Sequence, residues 1–412
     1  MKYHLITYGC QMNTADSEEM AQPLKDRGFV ATAKLHDADI VLMNTCTVRE
    51  QAEHRADSNI GRLRKWKELD PHRILIVAGC AASRWGESIR HKYPFIDLVS
   101  PATQIEHFPE AVAQVLKERW DFEAELRVTF STTGDVIPTG NVQKSVKDAP
   151  LPGAKTSPAI FSSPAVESSP VSPYIFGSEA TAYVTIMRGC NYNCSYCIVP
   201  QVRGRELYRP MDQILKEIRD KVGQGFKEVM LLGQTVNSYY CRQSIIYDFS
   251  DLLREADAID GLERIRFMSP HPKHLRDRTI AAMSECAKVC HHIHLPLQSG
   301  STRMLETMKR LYTRQEYIAI VQKLRAAIPD ISITTDIIVG FPGETQPDFE
   351  ETLSLIREIK FNGLFAFKYS PRPGTSSAQM EDDLADFEKE DRLQKVLALN
   401  EAVKSEIRMA SI

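Results

Sequence analysis

The apolar positions of the first 130 residues gather into continuous runs, at 3–8, 40–43 and 74–78, that read as short strands. Between the first two, Asp16-Ser17-Glu18-Glu19 predicts a helix with acidic residues in its first turn, closed by Gly28. Helical spacing extends over 48–69 between the second and third runs, and again over 105–119. Strand–helix–strand–helix–strand implies a parallel sheet with right-handed crossovers.

The alternation returns at Ala182. Strands are expected at 183–187, 228–232, 264–268, 293–296, 333–339 and 364–369, with helical patterns between them such as 211–221, 313–327 and 347–360. Six β/α units in succession predict a closed barrel or an open, partial one. A last amphipathic pattern, 382–409, sets Phe387, Leu393, Val396, Leu397, Val403 and Ile407 near helical spacing. Between the two halves, residues 131–180 hold seven of the chain's 22 prolines and nine serines, a linker-like composition with almost no periodicity. The expected organisation is α/β: an N-terminal open parallel-sheet domain (1–130), a Pro/Ser-rich linker or insertion (131–180), a partial six-unit barrel (181–375) and a C-terminal helical segment (376–412).

Composition narrows the function classes. The 412 residues exceed one ordinary core of ~100–200 residues. With 43% hydrophobic and 25% charged residues the chain is neither disordered nor collagen-like. A net charge of −3 argues against coating nucleic acid by bulk charge, though local basic patches stay open. No apolar stretch is long enough for a membrane helix, and MKYHLITYGC does not read as a secretory signal. A cytoplasmic, reducing setting is therefore expected, and the nine cysteines should be thiols.

Three of them form the tight set Cys190-x3-Cys194-x2-Cys197, in a loop directly after the first expected barrel strand. Three thiolates this close suit a metal or an iron–sulfur cluster. Structural zinc usually takes four protein ligands. Three fit better with a cluster that leaves one iron open, able to chelate a molecule with amine and carboxylate groups such as the methionine end of S-adenosylmethionine. At this point the chain resembles the radical S-adenosylmethionine (radical SAM) superfamily. VTIMRGCNYNCSYCIVPQVRGRE, LLGQTVNSY, HLPLQSGS, TTDIIVGFPGET and YSPRPGT together resemble its methylthiotransferases, while YGCQMNTADSE and NTCTVRE are similar to the branch that acts on tRNA.

Cys10, Cys46 and Cys80 are remote in sequence, but each ends an expected strand. The carboxyl ends of parallel strands share one edge, so the three can converge there. Gly9 and Gly79, just before two of them, allow close backbone approach. Thiols also commonly end buried strands, and position alone leaves both readings open. The resemblance implies a second, auxiliary cluster on these three. Cys286 and Cys290 share a helical face in IAAMSECAKVC and read as buried thiols; Cys241 reads as a loop residue.

Other residues at strand ends are candidates for the cosubstrate. Gly340 and Gly343 form a Gly-rich turn that, in the family implied, lies beside the adenine of S-adenosylmethionine. Gln234 stands where many radical enzymes carry a glutamate that holds the methionine amine. Ser269, His271, Gln298 and Asp336 could contact the ribose, the carboxylate or the target base. For RNA phosphates the candidates are Arg62, Arg64, Lys65 and Lys67 near a helix end, and Arg203 and Arg205 after the triplet.

The resemblance implies an enzyme with two [4Fe–4S] clusters and S-adenosylmethionine, which methylthiolates C2 of N6-isopentenyladenosine next to the anticodon. It implies a tRNA anticodon stem-loop as substrate, flavodoxin or ferredoxin as electron donor, and a monomer. Alternatives are a methylthiotransferase acting on an aspartate of a ribosomal protein and a non-catalytic iron–sulfur electron carrier. The small all-β RNA-binding TRAM domain usual in that family is expected to be absent, since the pattern stops at Ile412.

Overall fold

A computed structural model of the chain describes residues 1–48, 50–120, 181–242 and 246–410. The expected linker at 131–180 lies outside them. The N-terminal half is a five-stranded parallel sheet of β1 (Lys2–Thr7), β2 (Val30–Ala31), β3 (Ile40–Thr45), β4 (Ile74–Gly79) and β5 (Leu98–Pro101), in the order β2-β1-β3-β4-β5. Every residue of β3 and β4 is buried, which is why their sequence reads as unbroken apolar runs. Ile40, Leu42, Ile74 and Ile76 pack under α1 (Gln11–Lys25) and α5 (Phe108–Trp120). Val41, Met43, Leu75 and Val77 pack on the other face under α2 (Glu50–Glu68). Short helices α3 (Cys80–Trp85) and α4 (Ile89–Lys92) complete this half.

The second half opens with β6 (Thr181–Thr185), then the small antiparallel pair β7 (Met187–Arg188) and β8 (Leu207–Tyr208), with α6 (Val199–Arg203) between them. There follow α7 (Met211–Gly223), β9 (Glu228–Leu232), the hairpin β10 (Tyr240–Arg242) and β11 (Ile246–Asp248), α8 (Phe249–Asp257), β12 (Arg264–Phe267) and α9 (Asp277–Glu285). The chain continues through β13 (His292–His294), α10 (Thr302–Thr307), α11 (Arg314–Ala327), β14 (Ser332–Val339), α12 (Gln346–Ile359), β15 (Gly363–Lys368) and α13 (Asp386–Ala410).

Parallel pairing gives β12-β9-β6 and β13-β14-β15. The two are joined where Cys290 N donates to Ile265 O at 3.0 Å. The result is the expected open, six-stranded β/α barrel. Its outward-facing residues, among them Val229, Ile265, Ile293, Ile333 and Ile337, form one core with helix residues such as Ile218, Leu252, Tyr317 and Phe349. Capping boxes at Asp248/Asp251, Thr313/Glu316 and Thr345/Asp348 start α8, α11 and α12.

Two local expectations change. α1 begins at Gln11 rather than at Asp16, with no acidic residue in its first turn. Its acidic stretch is a clasp onto the barrel instead. Asp16 is 1% exposed and accepts from both Arg188 and Arg203, the latter at 2.8 Å. Glu19 lies 2.5 Å from Arg188, and Glu18 pairs with Lys221. Cys286 and Cys290 do not share a helix face, because α9 ends at Glu285 and Cys290 joins the sheet. Cys241 lies in β10 and is buried.

Burial alone would raise the Asp16 pKa, but the charges of Arg203 and Arg188 outweigh it and hold the carboxyl below its ordinary value. Its stabilisation is therefore present above the unfolded pKa of about 3.9 and is lost as pH falls through the depressed folded value. Asp16→Asn removes the carboxylate that two buried guanidinium groups share, leaving Arg203 without a carboxylate partner, and should destabilise the protein by about 3–5 kcal/mol in denaturant titration. A loss below about 1 kcal/mol would mean that the clasp behaves like a surface pair.

Candidate functional site

β1, β3 and β4 are adjacent and in register, with Thr7 opposite Asn44 and Thr45 opposite Gly79. Their carboxyl ends therefore bring Cys10, Cys46 and Cys80 to one edge. Cys10 caps α1, Cys80 opens α3, and Cys46 and Cys80 are each 1% exposed. The two glycines are required by space as well as by backbone. A Cβ on Gly9 (φ +119°) would lie 2.6 Å from Cys46 Cβ, and one on Gly79 (φ +95°) 2.2 Å from Asn44 Oδ1. Asn44 and Asn13 bond to each other beneath this edge, and Cys10 Sγ lies 3.3 Å from Asn13 Oδ1.

The Cys190–Cys197 loop leaves the barrel at the same level. Cys190 N donates to Gly204 O at 3.1 Å and Ser195 N to Met308 O at 3.0 Å, tying the loop to α6 and α10. A cleft of about 400 Å³ lies between the two halves of the chain. Thr47, next to Cys46, and Ile198, next to Cys197, both line it, with Glu53, Arg84, Trp85 and Arg372. A larger cavity of about 550 Å³, around Arg303, Arg314 and Asp348, lies among outer helices and holds no thiol.

Each thiol set carries one buried guanidinium. Arg203 Nε is 3.1 Å from Cys80 Sγ, and Arg310 Nη1 is 3.4 Å from Cys194 Sγ. Lys309 (φ 56°) and Leu311 (φ 58°), on either side of Arg310, are both in the left-handed region. Such strain costs on the order of 1–3 kcal/mol per residue and persists where surrounding structure enforces it. Sequence patterning gave no signal for the role of Arg310.

Burial pushes the Cys80 thiol up to about 11 against the pull of Arg203, and burial with Cys194 pushes Cys197 up to about 12. Both resist ionisation unless a cation takes the proton's place. Among the described residues no three His, Cys, Asp or Glu side chains meet closely enough for a single metal ion. A four-iron cluster binds each thiolate at a different iron, so its thiols stand farther apart. The donor chemistry, the glycine-cleared backbone and the compensating arginines fit that larger group.

The structure sorts the remaining candidates. Gln234 follows β9, and its Oε1 is buried without a hydrogen-bond partner. His271 is 6% exposed, and its Nδ1 accepts from Lys273 N at 3.2 Å, which leaves a proton on Nε2. That Nε2 is buried and unpartnered. Burial, with Arg310 next, lowers its pKa to about 2 and keeps the ring neutral. Tyr192 of the cysteine loop stacks on His271 at 4.2 Å. Ser269 (φ 60°) and Gln298 (φ 74°) hold left-handed backbone at the same rim. Asp336 lies inside the barrel on β14, 3.2 Å from His294 Nε2. A Cβ on Gly340 would strike Lys389 of α13 at 2.4 Å, and Gly343 N donates to Asp383; this turn is fitted to the segment around α13.

Two of the cations expected to bind phosphate point inward. Arg203 is 6% exposed and spent on Asp16 and Cys80, because α6 packs Ile198 and Val202 against Cys80 and Ala102. Lys67 is buried, with Nζ 2.5 Å from Asp97 Oδ2. Arg62, Arg64, Lys65 and Arg205 are exposed, with Arg64 lying over the Phe95 ring.

Comparison with known proteins agrees with this architecture. The model of the radical SAM superfamily matches residues 184–356, and that of an uncharacterized family, UPF0004, matches 2–101. In overall fold the chain is similar to a radical S-adenosylmethionine methyltransferase from Kitasatospora setae, solved with cobalamin and a [4Fe-4S] cluster bound. The TM-score is 0.60 at 17% identity, covering 91% of this chain and 73% of that one. A cobalamin-dependent S-adenosylmethionine radical enzyme with aqua-cobalamin bound gives 0.56 at 14% identity, covering 98% and 56%.

The sequence relatives are more similar. The tRNA-2-methylthio-N(6)-dimethylallyladenosine synthase of Caldicellulosiruptor saccharolyticus is 42% identical over 97% of this chain and 78% of its own length. The synthase of the same name from Syntrophus aciditrophicus is 40% identical over 97% and 79%. Identity of that order over 97% of the chain means that it belongs to the tRNA-2-methylthio-N(6)-dimethylallyladenosine synthase family of radical SAM proteins.

Proposed function

We propose that the protein methylthiolates C2 of N6-isopentenyladenosine beside the anticodon of tRNA. The observation that carries this reading is the meeting of Cys10, Cys46 and Cys80 at one edge of the N-terminal sheet, joined through Asp16, Arg188 and Arg203 to the segment that carries Cys190, Cys194 and Cys197. Cys190, Cys194 and Cys197 would hold one [4Fe–4S] cluster, and Cys10, Cys46 and Cys80 the other. Bound there, the clusters and S-adenosylmethionine supply the radical that removes hydrogen from C2 and the sulfur that replaces it.

The chain's own residues bind and orient. Gln234 Oε1 is placed to accept from the methionine amine, and the neutral His271 Nε2–H to donate to the carboxylate. Arg203 and Arg310 offset the negative charge of the bound thiolates. Thr235 Oγ1, 3.5 Å from Cys190 Sγ, restrains that side chain. The exposed Arg62, Arg64, Lys65 and Arg205 meet phosphates, while the base splays from its loop toward the barrel lumen. The reductant is a small donor of flavodoxin or ferredoxin type. The enzyme acts as a monomer in the cytoplasm; no helix among the described residues is long and apolar enough to cross a membrane.

The wild-type protein should carry about eight irons, since there are two three-cysteine sites. Alanine at Cys190, Cys194 and Cys197 should leave about four and abolish formation of 5′-deoxyadenosine; unchanged iron would sink the assignment. Alanine at Cys10, Cys46 and Cys80 should keep that cleavage and lose the methylthio product. Gly79→Ala, with a Cβ only 2.5 Å from Thr45 O, should displace Cys80 and selectively lower the auxiliary iron.

For the RNA, glutamine at Arg62, Arg64 and Lys65 should flatten the salt dependence of stem-loop binding by ~0.7–0.9 per lost phosphate contact. An unchanged slope would remove that face from the interface.

A further inference from the structure

In-register parallel neighbours point to the same face, so Asp336 and Phe365, and Ile338 and Phe367, share one side of β14 and β15. That side is the barrel lumen. Ile333, Thr335, Ile337 and Val339 of β14 are buried against the helices, whereas Thr334, Asp336 and Ile338 are only half-buried. Phe365 and Phe367 are 59% and 50% exposed, although Leu364 between Gly363 and Phe365 packs in the outer core. Phe365 meets the His294 ring edge-on at 6.0 Å, and His294 Nε2 lies 3.2 Å from Asp336 Oδ2.

The lumen is bordered by both thiol sets. On one side Ile338, in register with Phe367, packs with Tyr196, which separates Cys194 from Cys197. On the opposite wall Tyr183, Met230 and Met268 pack with Met12 and Cys10. Two exposed phenylalanines on one side of β15 form an apolar patch, a feature that marks ligand-binding surfaces.

We propose that Phe365 and Phe367 are the receptor for the prenylated purine of the target nucleotide. Their rings take the base and its apolar N6 substituent, and Asp336 accepts the remaining N6–H. The inference rests on the thiolation reading and names the residues that hold its substrate base. Complementarity selects the occupant. A carboxylate beside two aromatic rings repels a phosphate and suits a flat apolar group with an N–H donor. The charged methionine end of the cosubstrate has its own polar partners at Gln234 and His271.

The test uses the protein loaded with both clusters and labelled anticodon stem-loops with and without the isopentenyl group. Wild type should bind the prenylated RNA more tightly. Phe365→Ala and Phe367→Ala should each weaken that binding by about fivefold to a hundredfold, the range for loss of one stacking ring. The unprenylated RNA should be affected less, so the preference collapses, while Phe365→Tyr keeps it. Iron content checks folding; if it falls, Phe367→Leu, which keeps volume without a ring, replaces the alanine variant and should show the same loss of preference.

An unchanged preference, or equal weakening of both RNAs, would overturn the subsite. Wild-type turnover of the prenylated RNA runs alongside. Absence of methylthio product there would overturn the thiolation reading itself, whereas product with an unchanged preference in the variants would overturn only the subsite.

Discussion

The architecture depends on one buried carboxylate. Asp16 leaves water to meet two guanidinium groups that belong to the other domain, Arg188 and Arg203. Such a group of charges is weak evidence for stability in itself, since desolvation opposes the Coulomb attraction. Its value is positional. Arg188 lies two residues before Cys190, and Arg203 touches Cys80. Asp16 rides on the helix that Cys10 begins. One carboxylate thus fixes the relative placement of thiols drawn from both domains, and a rotation between the domains would leave several buried charges unpaired.

The second constraint is backbone strain at the barrel rim. Among the described residues, four of the five non-glycine residues with positive φ are Ser269, Gln298, Lys309 and Leu311. Two follow barrel strands and two flank Arg310. The fifth, Lys360, ends α12, so most of this strain lies at the rim near buried polar side chains. Buried polar atoms without partners, at Gln234 and His271, occur in the same zone. Unsatisfied groups cost free energy in a folded core; at the barrel rim a polar ligand would satisfy them.

Much of this was legible in the sequence, and what was missed has a common cause. The main strands of both domains fell close to their expected positions, because β3 and β4, buried on both faces, read as unbroken apolar runs and the barrel strands as short apolar segments between helical patterns. The convergence of Cys10, Cys46 and Cys80 followed from strand ends alone. Reading charge as surface was less successful. Asp16 looked like a helix-start residue, and Arg203 and Lys67 like phosphate ligands, because periodicity carries no information about partners from a distant segment. Arg188, 172 residues from Asp16, is such a partner. Phe365 and Phe367 read as ordinary strand residues, since alternation says that two faces differ but not which of them is wet.

That last point bears on how an acidic chain recognises RNA. Several basic residues near the thiols are consumed internally: Arg188 and Arg203 on Asp16, and Arg310 on Cys194, Pro296 and Tyr312. Few positive charges remain at the rim to grip a backbone, and a net charge of −3 supplies no general attraction. Phosphate contacts carry affinity but little base information. A protein that spends its arginines on placing thiols must draw its selectivity from the base. The lumen offers the means, with the rings of Phe365 and Phe367 and the carboxylate of Asp336. On this view the weak surface charge and the exposed phenylalanines are two consequences of the same arrangement, in which the interior electrostatics are committed to the cofactors and recognition is left to shape and stacking.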